Sequence, residues 1–261
     1  MLQALARWLH FIAYALSFGV LAFQFLVLRD PVPDARLRGL IRAGIALLIV
    51  AEPIALIGQA ASLGDLDSAA LASVLASNFG RVLALRLGAA FALWGLIGAL
   101  EEARWRGAAL VIGVGAGLAF VDGLGAHTIP GLAHALAQVL TGVHVAAMGV
   151  WVGGLAALLA VSRPAPGAGA HARRFSPVAL AATITLIFSG ALLALAHMRQ
   201  PADFAYTSYG LTLALKVVAV GVALAAALFG VRAARSGRPE LMALVGVLAL
   251  TGLLASLPPP R

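Results

Sequence analysis

Apolar positions in this chain run in long unbroken blocks and do not alternate with polar ones. A helix that crosses a membrane needs about 20 mostly apolar residues at 1.5 Å rise each. Eight blocks meet that length, at roughly 8–28, 41–61, 80–100, 107–126, 135–161, 175–197, 209–231 and 240–257. They are rich in Ala and Leu, whereas a membrane β-barrel strand would alternate over about ten residues. The pattern therefore predicts an all-α membrane protein with eight transmembrane helices. The first block is too long for the apolar core of a signal peptide and lacks a small-residue cleavage site, so it is read as a span. Connecting segments are short. The longest are 62–79, with Asp65 and Asp67, and 162–174, whose PAPGAGAHA run reads as a flexible linker between two halves.

Composition agrees with the pattern. The chain is 62% hydrophobic and 11% charged, against about 25% charged in a soluble domain, so it lacks the polar residues to cover a globule in water. It has no cysteine, which removes disulfides, thiolate zinc sites and iron–sulfur clusters. A net charge of +8 would suggest nucleic acid in a soluble chain. Here the basic residues sit at the ends of the apolar blocks, and a lipid bilayer, not nucleic acid, is the expected partner. The odd-numbered loops hold Arg29, Arg36, Arg38, Arg42, Arg104, Arg106, Arg163, Arg173, Arg174, Arg232, Arg235 and Arg238. The even loops and the two ends of the chain hold Arg7, Arg81, Arg199 and Arg261. Cytoplasmic loops collect Arg and Lys, so the odd loops are expected inside and both termini outside.

An internal repeat runs through the chain. SNFGRVLALR at 77–86 matches TSYGLTLALK at 207–216, and His10, Ala13 and Gly19 align on His144, Ala147 and Gly153. Residues 1–130 and 131–261 thus read as two four-helix halves. Each half holds an even number of spans, so both enter the membrane from the same side, related by an axis along its normal. Ligands of duplicated bundles commonly sit where the halves meet.

Ionisable groups inside spans are costly, and each is a functional candidate. Glu52, beside Pro53, is mid-span in the second block; Arg86, Asp122 and Lys216 lie in the third, fourth and seventh. They offer either a transport path or ion pairs that hold helices together, and Arg86 and Lys216 are also long enough to snorkel outward. Five histidines, His10, His127, His134, His144 and His197, fall toward the outer face, and His171 toward the inner. Imidazole is the commonest metal ligand. His144, Met148 and Trp151 follow at i, i+4 and i+7, one face of a helix, and imidazole with thioether suits Cu(I). Packing is the plainer role for Met148 and Trp151. Gly149, Gly153 and Gly154 allow close helix approach. No GKS/T phosphate loop, HExxH or GxSxG occurs, so no catalytic activity is expected.

These segments resemble the copper resistance protein D (CopD) family of bacterial inner-membrane proteins. The resemblance lies in HVAAMGVWVGGLAALL at 144–159, RFSPVAL at 174–180, SG at 189–190, YGLTLALK at 209–216 and LASLPPP at 254–260. RWLHFIAYALSFG at 7–19 and FGRVLALR at 79–86 extend it over nearly the whole chain. It implies an eight-span copper transport and homeostasis protein of the bacterial inner membrane, termini in the periplasm, supplied by a periplasmic copper-binding protein of the CopC type. Carried over by position, His10 and His144 are the expected ligands, followed by Met148 and Trp151. The outer His127, His134 and His197 would capture copper, and Glu52 lies deeper. The chain has four methionines and no Met/His-rich extension, unlike a copper store. A second reading is a haem b electron-transfer protein with His10 and His144 as axial ligands.

Overall fold

The computed structural model describes residues 1–30, 34–64, 66–124, 134–162, 168–197, 202–232 and 238–257, and every element among them is helical. Helix α1 runs Leu2–Leu28 and contains two short π-helical stretches, Ala15–Gly19 and Gln24–Leu28. It is followed by α2 Ala35–Ala61, α3 Ser68–Ala76, α4 Asn78–Leu124, α5 His134–Val161 and α6 Ala168–His197. The chain closes with α7 Asp203–Tyr206, α8 Ser208–Arg232 and α9 Arg238–Leu254. Six stretches are long and apolar enough to cross a membrane: α1, α2, Asn78–Gly98, α5, Gly169–His197 and Ser208–Ala227. The fourth and eighth apolar blocks form shorter helices, Ala109–Leu124 and the 17-residue α9. The protein is a multi-pass membrane protein, all-helical among the described residues.

Three loops expected from the sequence are partly helical. Helix α2 starts six residues ahead of its apolar block because Asp34 caps it, its Oδ1 accepting from the Leu37 amide at 2.8 Å. The 62–79 connection holds α3, capped the same way by Asp67 on the Ala70 amide at 2.7 Å. The expected 162–174 linker enters α6 at Ala168. Between the third and fourth spans no loop interrupts the helical backbone, and α4 is 47 residues long. Straight, it would extend about 70 Å at 1.5 Å per residue. Instead its ends meet: Asn78 Nδ2 donates to the Leu124 carbonyl at 3.4 Å. The arms Asn78–Gly98 and Ala109–Leu124 therefore lie antiparallel.

Helix α1 is the hub. Its most apolar window is 72% buried, against 17% for α6 and 11% for α8, which leave their apolar faces to lipid. Around α1 pack α2, α4, α5 and α9. Small residues make the contact with α5. A Cβ on Gly19 would strike the Gly149 carbonyl, and one on Gly153 would strike the Ala15 carbonyl. Those two contacts exchange under the repeat offset, in which 15 aligns on 149 and 19 on 153. Gly123 lies against the Gln138 backbone and Gly252 against the Ala4 backbone. Gln3 reaches Gln59 at 2.7 Å, so the start of α1 and the ends of α2 and α9 share one end of the bundle.

Candidate functional site

The ionisable residues of the first half meet in the bundle core. His10 from α1, Glu52 from α2 and Asp122 from α4 are all buried. Nδ1 of His10 lies 2.7 Å from Oε1 of Glu52, and Nε2 lies 3.0 Å from Oδ2 of Asp122. Arg86, from the other arm of α4, places Nη2 2.6 Å from Oδ1 of Asp122 and Nη1 3.6 Å from Oε2 of Glu52. The two carboxylates thus bridge one imidazole and one guanidinium in a closed ring of four side chains. Charges out of water persist when they are paired in this way. Pro53 follows Glu52 inside α2, and two turns earlier Gly44 lets α2 approach the α1 backbone at Ala13 and Ser17. Tyr14, one turn below His10, is fully buried and donates to the Gly115 carbonyl at 3.1 Å.

His144, the repeat partner of His10, has a different setting. Its Nδ1 is 2.9 Å from Oγ of Ser189 on α6. The ring lies against the bare backbone of Gly190, where a Cβ would sit 3.0 Å from Cε1. Lys216 of α8 lies within electrostatic reach of the ring. Among the described residues no carboxylate pairs with Lys216, unlike Arg86 in the first half. Met148, one turn along α5, is buried in the core, and Trp151 beyond it donates to Oε1 of Glu240 at 3.2 Å.

His134 and His197 have separate neighbours. His134 is exposed at the start of α5, with Gln138 at 2.9 Å. His197 donates from Nδ1 to the Leu193 carbonyl at 2.7 Å and stacks on Tyr209. His127 lies outside the described residues. Among the described residues no three His, Asp or Glu side chains converge in a way that could hold a metal ion. In the first-half cluster the reason is visible, since its two carboxylates flank opposite edges of the His10 ring. A haem between His10 and His144 would likewise need an open nitrogen on His10, where both face carboxylates. Sequence reasoning singled out Glu52, Arg86 and Asp122 and offered ion pairing as one role. It did not assign Ser189 and Gly190 a role beyond their place in a family-like SG pair. The signal available was a hydroxyl inside a span, which needs a partner there.

Residues 1–127 match the family described as copper resistance protein D-like, N-terminal domain. The matched stretch holds all four members of the buried cluster. No curated protein and no solved structure matches the chain.

Proposed function

We propose that this protein, a member of the copper resistance protein D family by its first half, imports periplasmic copper across the bacterial inner membrane. In this reading it is a carrier and not an enzyme. Both termini and the outer ends of the helices face the periplasm, as the arginine distribution supports. Eight crossings form two four-helix halves, and the shorter Ala109–Leu124 and α9 supply the fourth and eighth. A periplasmic copper-binding protein of the CopC type delivers the ion to the outer histidines, His127, His134 and His197. It then passes inward to a His/Met site between helices, made by His144 and Met148.

The observation that carries this reading is the match of residues 1–127 to a copper-resistance family in a chain with six helices long and apolar enough to cross a membrane. Cells expressing the wild-type chain are expected to hold more copper than cells carrying an empty vector at equal external copper, by elemental analysis. Equal or lower copper would contradict import.

A further inference from the structure

We propose that the second half holds a singly charged anion on the ammonium of Lys216, where α8 faces α5 and α6. The first half supplies the matching negative charge from its own side chains. The inference goes beyond the copper reading and does not rest on it.

The repeat shows what is missing. Arg86 and Lys216 close the aligned segments FGRVLALR and YGLTLALK. Arg86 is held by Asp122 at 2.6 Å and by Glu52 at 3.6 Å. Lys216 makes no hydrogen bond or ion pair with any described residue. Residues 131–261 contain two acids, Asp203 and Glu240, and α5, α6 and α8 contain none. Asp203 lies ahead of α8, whose first residue is about 12 Å from Lys216 along the axis. Glu240 opens α9 at its inner end and accepts from Trp151. The second half has kept the cation and lost both anions.

The other polar groups of this region have partners. His144 stands within electrostatic reach of Lys216, and its ring bonds to Ser189 and to the Leu186 backbone. The Ser189 hydroxyl donates to the Thr185 carbonyl at 2.6 Å. Thr212, one turn before Lys216, donates to the Ser208 carbonyl at 2.7 Å. Toward the outer end His197 bonds to the Leu193 carbonyl and stacks on Tyr209, joining α6 to α8. The half-buried ammonium of Lys216, with three donors, is the exception.

A cation left alone inside a membrane span is costly, and a nearby counter-charge offsets that cost. One negative charge from outside neutralises Lys216, whereas a dianion would leave an excess. Helix α8 packs along α9 and leaves most of its apolar window uncovered, so Lys216 is reachable from the lipid side. Two sources share the required chemistry, a halide from water and the phosphodiester of an acidic lipid. An anion held there also cancels the repulsion that the ammonium would exert on a copper ion near His144.

The test is the thermal unfolding midpoint of the purified full chain, in a non-ionic detergent, sulfate buffer and no copper. In one arm chloride is titrated at constant ionic strength. In the other, without chloride, phosphatidylglycerol is added and compared with phosphatidylcholine. Wild type should gain at least about 2 °C, saturably, in one of the arms. Lys216→Met should show no gain, and without anion it should unfold no more readily than wild type. Arg173→Gln, at the inner face, should keep the full gain. A Lys216-dependent gain with chloride assigns the site to a dissolved anion, and one with phosphatidylglycerol alone assigns it to a lipid. If Lys216→Met does not fold, Lys216→Gln takes its place. No gain in either arm for wild type would overturn the proposal, as would an equal gain in the Lys216 variant. Because copper is absent throughout, failure here leaves the transport reading to its own experiment.

Discussion

His10 and His144 occupy equivalent places in the repeat, yet one is clasped by carboxylates and the other by a hydroxyl. The difference is set by single residues on neighbouring helices. Removing one partner from a buried charge cluster costs about 3–5 kcal/mol, because the others are left uncompensated in a medium that cannot solvate them. Asp122→Asn, which strips both Arg86 and His10 of a partner, is therefore expected to lower the unfolding midpoint in detergent by many degrees. An unchanged midpoint would mean the cluster does not hold the helices. Glu52, Arg86 and Asp122 were legible in the sequence because a charge within an apolar block is conspicuous. Their arrangement around one imidazole was not. Spacing along a helix says which face a residue occupies, but not which helix meets that face. The same limit hid Ser189, whose role exists only because α5 brings His144 against α6.

At the level of elements, six of the eight apolar blocks coincide with helices long and apolar enough to cross a membrane, since a bilayer imposes a length that loops cannot meet. Ends were less legible. Asp34 and Asp67 start helices outside the apolar blocks by accepting from Leu37 and Ala70, and the arginines of 36–42 ride on the first turns of α2. The glycines of α5 were readable as a close-approach stripe, and the structure supplies their partner, α1. Leucine at position 19 or 153 would have no space, since even one carbon meets backbone there. Gly153→Leu is expected to separate α1 from α5 and sharply reduce the yield of folded, monodisperse protein. Gly221→Leu on α8, where a Cβ meets nothing, should leave that yield near wild type. Equal yields for the two variants would show that the α1–α5 contact does not matter.

Across the whole molecule, orientation rests on charge and can be checked directly, because the chain has no native cysteine. A cysteine at Ser68, at the start of α3, should react with a membrane-impermeant maleimide added outside intact spheroplasts. A cysteine at Arg38 should react only after lysis. The reverse pattern would invert the molecule and turn the proposed importer into an exporter. The central claim is that copper crosses through the second half while the first half holds the bundle together. Uptake of Cu(I) into liposomes containing purified protein tests it most directly, with wild type, His144→Ala and His10→Asn compared at equal protein. The account predicts copper entry with wild type, little above empty liposomes with His144→Ala, and persistent entry with folded His10→Asn. Undiminished entry with His144→Ala would contradict it.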